Sequence, residues 1–439
     1  MLEKITDTLH ARKDLKAWSV HHIRTRNTQQ YDLREATETL RHVENERYVA
    51  RVLRQTPGAD GKPSCGTGEV TLLPGADIEK ALDDAALAAG LVHNEPYDFP
   101  KPAAIPEVAL TDKDLQIEPE RTIAKVISRI KDCTSVHPQV RLTATECYAQ
   151  EKTIHLVNSH GIDATQGSTN LMLELVFIAG EGDQAVESFS VLTRRRVADL
   201  DIEGEVKRRA QHAIDLLHVS QPPQYRGPVV MRGETLAEIF SSDEVTPHVL
   251  RVLSSGRLKY TGETPWEIGK PVFKSEVTGD PLTLWANRRL PYGTNSNSFD
   301  HEGIPAQRVE LIRDNLLTAY TASQRYAQYL NIPPTGAFGD IELPPGTTPE
   351  ADLRRGHHVE IVSFSWFNPN AITGDFACEI RLGYLINGDQ RTPFKGGMLI
   401  GNLLEALANV HWSEETGFYG SYLGPRTARF NELTVAGKT

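Results

Sequence analysis

His301 and Glu302 form the only His-Glu dipeptide among the fifteen histidines of this 439-residue chain. On a helix, such a pair followed by a second histidine one turn on holds zinc and places a base beside the bound water. Here the positions one turn on are Pro305 and Ala306, so neither zinc-helix spacing is completed. Asp300-His301-Glu302 offers loop ligands for a metal, with His248 as a further histidine, but it reads first as an acidic turn ahead of a strand. His155 and His160 fall at opposite parity on a strand and turn, and His357-His358 are adjacent, so neither pair faces one site. His21-His22 with Arg24 and Arg26, and Arg194-Arg195-Arg196, read as short solvated basic patches. The four cysteines, Cys65, Cys133, Cys147 and Cys378, contain no Cys-x-x-Cys pair and read as reduced thiols. Nucleotide and serine-nucleophile chemistry find no support. Gly66-x-Gly68 lacks a third glycine, Gly269-Lys270 is followed by Pro271 where a phosphate loop needs a hydroxyl, and there is no Gly-x-Ser-x-Gly.

The elements that must position these residues fall into three segments. Residues 1–106 read as an α+β layer with strands at 41–53 and 70–73 and a helix at 78–91; Pro96, Pro100, Pro102 and Pro106 make its end an extended connector. Residues 107–223 read as a second α+β layer. A helix starts at Pro119 with Ile123, Val126, Ile127 and Ile130 on one face, strands follow at 140–147, 153–157, 171–178 and 188–192, and a helix at 202–217 turns Val206, Ala210, Ile214 and Leu217 inward. Gln221-Pro222-Pro223 marks the second boundary. Residues 224–439 open with a strand at 227–231 and helix at 237–240 and 249–253 around Pro247, then break into short strands between Gly, Pro and Asn turns, as in a barrel or sandwich. The fold class is therefore α+β: layers of sheet and helices, then a β-rich carboxy-terminal domain. Within that domain Asn387-Gly388 predicts a two-residue hairpin turn, and Asn402 is an N-cap for a helix carrying Leu403, Leu404, Leu407 and Val410.

The net charge of -11 disfavours a phosphate-backbone partner, so no nucleic-acid role is expected. No apolar run is long enough for a membrane span, and Met1-Leu2-Glu3-Lys4 does not open a signal peptide, so a cytoplasmic location is expected.

Three motifs in order give the chain a likeness. Asp300-His301-Glu302-Gly303-Ile304-Pro305-Ala306-Gln307-Arg308 comes first. Gly374-Asp375-Phe376, Gly383-Tyr384-Leu385-Ile386-Asn387-Gly388 and Ile400-Gly401-Asn402-Leu403 follow, and the chain closes on Asn431-Glu432-Leu433-Thr434-Val435-Ala436-Gly437. Together they resemble the carboxy-terminal signature of the TldD/PmbA family, clearly from about Tyr225 onward and more thinly upstream, where Asn158-Ser159-His160-Gly161 matches the family's Asn-Ser-x-Gly turn. The resemblance implies a metallopeptidase family built from two kinds of related chain. One kind carries His-Glu-x-x-x-His on a helix opening the carboxy-terminal domain, and a cysteine ligand near its end. Here the matching stretch, from Met231-Arg232-Gly233-Glu234 through Ala237-Glu238-Ile239-Phe240, has no histidine, and 419–439 has no cysteine. That points to the TldE (PmbA) kind.

The resemblance then implies no catalytic residue and no cofactor in this chain, with zinc in a TldD-like His-Glu-x-x-x-His partner. The two chains would form a heterodimer, with a homodimer when this chain is alone. The implied substrates are extended peptides held in a shared chamber, including precursors of peptide antibiotics. Asp300, Glu302, Gly303, Gly374, Asp375, Gly383, Gly401 and Asn402 match family positions and are expected to be structural or chamber positions. The glycines would serve close backbone approach or positive φ, and Asp375 would either orient a neighbouring backbone amide or line the chamber. Two other readings stand beside this one: a self-dimerising peptide-binding or scaffold protein without hydrolytic activity, and a peptidase gathering zinc from His248, His301 and Asp300.

Overall fold

Strands in the amino-terminal half are long and, in places, polar, because each central strand is bonded along both edges. The computed structural model describes residues 1–34, 36–58, 61–240 and 248–437. Helix α1 (Leu2–Ala11) leads into β1 (Ala17–Leu33), β2 (Ala36–Pro57) and β3 (Pro63–Leu72). Helices α2 (Ile78–Gly90), α3 (Lys113–Ile117) and α4 (Pro119–Ser135) come next, then β4 (Val140–Asn158), β5 (Asp163–Ala179), β6 (Val186–Arg194) and α5 (Ile202–Leu216). The six strands form one sheet in the order β3-β2-β1-β4-β5-β6, every pairing antiparallel.

The separate strands expected at 140–147 and 153–157 are one strand. Gln150, Glu151 and Lys152 between them pair with Asn27, Arg26 and Thr25 on one side and with Asn170, Thr169 and Ser168 on the other, and that double ladder outweighs their polarity. Two cores back this sheet. Ile5, Leu9, Val52, Leu82 and Ala85 pack under α1 and α2; Ile123, Ile127, Ile130, Phe177, Val206 and Ala210 pack under α4 and α5. The proline-rich connector runs between the two cores, while the sheet continues across it through the pairing of β1 with β4. Asp77 and Asp201 cap α2 and α5 by accepting the amides of Lys80 and Gly204.

The carboxy-terminal half opens with β7 (Tyr225–Arg232), α6 (Gly233–Glu238), α7 (Val249–Leu253) and α8 (Gly256–Thr261). The first helix begins at Gly233, earlier than the expected 237, and the interruption assigned to Pro247 lies outside the described residues. Then come β8 (Leu284–Asn287), β9 (Arg308–Arg313), β10 (Leu316–Leu317), α9 (Gln324–Leu330), β11 (Asp340–Glu342) and α10 (Glu350–Leu353). Next are β12 (His358–Phe364), β13 (Asp375–Asn387), β14 (Gln390–Phe394), β15 (Met398–Asn402) and α11 (Leu403–Ala408). The chain ends through β16 (Val410–Trp412), β17 (Thr416–Tyr419), β18 (Tyr422–Pro425) and β19 (Thr427–Ala436).

Strands β7, β19, β15, β13 and β12 pair in a ring, because β12 bonds both β7 and β13, and this closes a five-stranded barrel. Val229, Ile361, Ile380, Phe394, Leu399 and Phe430 fill its core. The β13–β14 hairpin turns on Gly388-Asp389 rather than Asn387-Gly388. Asn387 still pairs with Gln390, and Gly388, at φ +61, takes the first turn position, which favours glycine. Among the described residues no helix is long and apolar enough to cross a membrane.

Arg194-Arg195-Arg196 is not a solvated patch: it joins the two halves. Arg195, 7% exposed, donates to the carbonyls of Thr169, Gly293, Thr294 and Ser296 at 2.6–3.3 Å. Arg196 binds Asp199 at 2.8 Å and lies 4.0 Å over the Tyr292 ring. Arg195→Met keeps the apolar stem but strands those buried carbonyls. It is expected to cost about 3 kcal/mol in urea unfolding and to speed amide exchange at 293–296; an unchanged midpoint refutes the joint.

Candidate functional site

Helix α6 stands where the resemblance places a catalytic helix. The loop candidates do other work. Asp300, 4% exposed, accepts three backbone amides, those of Glu302, Ile304 and Ala337, at 2.9–3.0 Å. Glu302 accepts the Gln324 amide at 2.7 Å at the start of α9 and meets Arg51 of β2 at 3.3 Å, so this turn is a second joint between the halves. Gly303, at φ +89, presses against Leu156 and Ile162 of the amino-terminal sheet, where an added Cβ would come within 2.8 Å of Ile162. His301 faces His21, which burial pushes down to about 4. His21-His22 is thus no exposed patch: His22 stacks on Tyr48 at 4.5 Å and bonds Glu46 at 2.6 Å.

His248 is buried and uses both ring nitrogens, Nε2 on the Ile239 carbonyl at 2.8 Å and Nδ1 on the Leu250 amide at 3.1 Å, which caps α7. His155 and His160 bind different carboxylates, Asp163 and Asp98. The four cysteines are free thiols, and among the described residues no group of three or more His, Cys, Asp or Glu is arranged to hold a metal ion.

The carboxy-terminal motif residues form a cap. Asn402 Oδ1 accepts the amides of Leu404 and Glu405, and its Nδ2 donates to the Thr373 carbonyl and to Asp375 at 2.8 Å. Asp375 therefore aims the amide that caps α11; hydrogen bonds from Asn402 and Thr373 hold its carboxyl below the usual range. Gly374 takes φ +82 beside them. Gly383 and Gly401 sit under the rings of Phe394 and Phe376, where a Cβ would meet carbon at 2.5 and 2.9 Å.

The feature that sequence reasoning missed is a cleft between the halves. One wall is β6, the last strand of its sheet. The facing wall is the end of β12, residues 362–365, with Arg381 of β13; the floor is Glu234, Thr235 and Glu238 of α6; Thr294 and Tyr419-Gly420-Ser421 close one end. The other end continues past His212, Glu379 and Lys395. Thr235 Oγ1 donates to the Val362 carbonyl at 2.8 Å and fixes the floor to the wall.

The outward edge of β6 is partly occupied. Phe189 O accepts Arg209 Nη1 at 3.3 Å and Thr193 O accepts Arg194 Nη1 at 2.8 Å. Backbone groups alternate along an antiparallel strand, so Val191, midway between these two and 48% exposed, also turns its N–H and C=O outward.

Several charges beside this cleft are matched in pairs. Arg194 binds Glu234. Arg209 and Arg208 bind Glu205 at 2.7 and 2.9 Å, and Ser190 donates to it at 2.6 Å; burial opposes its ionisation, but these cations prevail and hold the carboxyl at about 2. Burial outweighs the Arg194 pair at Glu234 and raises its carboxyl. Glu238, one turn on, has no cation within 4.0 Å among the described residues. Burial lifts it to about 7 against the pull of Arg209, the Phe367 amide and Arg381. The only sequence signal for this floor was the Glu234–Glu238 spacing of one helical turn.

Residues 226–437 match the PmbA/TldA metallopeptidase C-terminal domain. The chain is 24% identical over 261 residues to Metalloprotease PmbA of Escherichia coli O157:H7, a match covering 58% of this chain and 55% of that protein. It is 20% identical over 319 residues to a zinc metalloprotease TldD homolog of Saccharolobus solfataricus, covering 67% and 68%. The chain thus spans about half to two thirds of the length of the curated relatives it matches. Its fold superposes on TldE from Thermococcus kodakarensis with a TM-score of 0.81 at 18% identity, over 99% of this chain and 100% of that one.

A carboxyl raised to about 7 binds its proton more tightly folded than unfolded, so its contribution is present at low pH and lost as pH climbs from about 4.3 through 7. Asp340, buried and also raised to about 7, adds to the same fall. In Glu238→Gln the fall in Tm between pH 5 and 8 is expected to become shallower, leaving the shares of Asp340 and Glu234. A Tm profile parallel to that of the parent protein would refute the assignment.

Proposed function

The chain belongs to the PmbA/TldD family, and from that premise we propose that it is a non-catalytic, TldE-like subunit of a two-chain zinc peptidase. The observation that carries this reading is α6. Where the family resemblance puts His-Glu-x-x-x-His, this helix presents Glu234 and Glu238, and Glu234 is engaged by Arg194 of the amino-terminal sheet. The helix face that would hold a metal instead ties the two halves together. In this reading a TldD-like partner carries the zinc and the base, and the two chains enclose a chamber.

This chain's share of the work is to hold extended peptide. A strand edge suits that task, since main-chain hydrogen bonds give affinity whatever the side chains. The cleft supports it with an edge strand, β6, whose Val191 backbone faces the open side.

The subunit reading is tested by zinc content per chain, by elemental mass spectrometry after brief exposure to a weak chelator, together with affinity purification from the native cell. The expected result is zinc well below one ion per chain when the protein is alone, and a co-purifying chain that contains His-Glu-x-x-x-His. Zinc near one ion per chain, or purification as a homodimer without such a partner, overturns it.

Peptide holding has its own measurement. Val191→Pro removes the outward N–H, a change that an edge strand tolerates, and is expected to weaken binding of a labelled extended peptide about tenfold, near 1.4 kcal/mol, with little loss of Tm. Equal affinity in parent and variant rules out pairing along β6.

A further inference from the structure

Of the two acids on the cleft floor, Glu234 has a cation in contact and Glu238, among the described residues, has none. Arg194 and Arg209 each have a carboxylate of their own, in Glu234 and Glu205. Arg381 lies at the solvent-exposed rim, where water screens it. Glu238 lies on the floor near the Phe367 amide, with no cation within 4.0 Å among the described residues. An ionised carboxylate in such a place is short of water and has no cation in contact, and a cation placed against it relieves both.

A second, independent group is left unmatched in the same cleft. Arg194 is 6% exposed, and its Nε–H has no hydrogen-bond partner although both of its Nη atoms are used. The third observation is the outward backbone of Val191 on the same wall. A strand added there alternates its side chains, so every second one points to the floor.

We propose that the cleft binds an extended peptide segment bearing a cationic group, with the backbone along β6 and the cation set against Glu238. The cation is either a lysine or arginine side chain or a free terminal amine. This rests on the peptide-holding reading above and narrows it to a substrate class, since a neutral or acidic segment leaves Glu238 unmatched. Binding exchanges the proton on Glu238 for the ligand's cation, and that proton passes to the buffer.

The experiment is isothermal titration of the full-length protein, and of Glu238→Gln, with four peptides of one alanine-rich extended sequence. One is blocked at both ends and neutral, one is blocked with a central lysine, one has a free amino terminus, and one is blocked with a central glutamate. Titration in two buffers of different ionisation enthalpy counts the protons released. Glutamine keeps the size and the acceptor for the Phe367 amide, and Tm of the variant checks its fold. The expected result is at least tenfold tighter binding of a cationic peptide than of the neutral one, proton release on binding, and loss of the preference to under twofold in Glu238→Gln. Preference for the lysine peptide identifies a side chain as the cation; preference for the free amine identifies the terminus. Equal binding of all four peptides, or a preference that survives Glu238→Gln, overturns the cation site while leaving peptide holding in place. Tightest binding of the glutamate peptide overturns it in favour of Arg381. No binding by any peptide overturns both the cation site and peptide holding by this cleft, and the zinc and partner measurements still decide the subunit reading separately.

Discussion

Two adjacent arginines at the end of β6 fix the relation between the halves of this protein. Arg195 enters the carboxy-terminal loop 293–296 and binds its carbonyls, while Arg194 turns the other way to Glu234 on α6. Adjacent residues on a strand point to opposite faces, so a single chain segment grips two different elements of the other half. Buried guanidinium groups tolerate such places only when their donors are matched, and Arg195 matches its donors to backbone carbonyls rather than to an acid. Asp340 supplies the nearby charge. It accepts the Asn295 amide at 2.8 Å and the Ser296 hydroxyl at 2.5 Å, which holds the same loop from the far side.

The position of the cleft follows from that grip. The arginine joint is made at one end of β6, and at the other end Val186 packs with Leu382 and Tyr384 of the barrel, so the cleft lies between these two contacts. The barrel contributes closed strands whose edges are used up by the ring, and β12 bonds β13 alone beyond Ile361, on the side facing the cleft. The result is one unpaired edge on the amino-terminal side and a short polar stretch on the other, with α6 between them. The second joint, from Glu302 to Arg51 of β2, is made near the edge of the sheet far from β6 and keeps the two halves from hinging about the first.

Much of the secondary structure was legible because the helices repeat their apolar residues at 3.6 and carry caps. Ile123, Val126, Ile127 and Ile130 are buried together, and Asn402 caps α11. The β-rich carboxy-terminal domain was legible from its turns. What was not legible was anything set by pairing between distant segments. Polar stretches such as 150–152 become strand interior only because β1 and β5 lie on either side. The arginines at 194–196 look like solvent-facing residues until the loop 293–296, a hundred residues away in the chain, supplies their carbonyls. The cleft itself was invisible for the same reason, as no local pattern tells which strand ends a sheet.

An unpaired strand edge is a hazard in most proteins, because it templates pairing with any exposed chain. Here the edge is neither bulged nor proline-bearing, and the nine residues of β6 carry one acid and one base, Glu187 and Arg194. Its protection is positional instead. The barrel wall and α6 stand opposite, so a second folded sheet cannot approach, whereas a single extended chain can. Arg209 and Arg194 cover two of the outward carbonyls with side-chain N–H groups, which are the groups a peptide backbone would offer. Side chains can swing aside in a way that a paired strand cannot, and each carbonyl has a second lone pair to share. The edge is thus kept satisfied when empty and open to one kind of occupant, and a fold that needed only stability would have had no reason to leave Val191 uncovered between them.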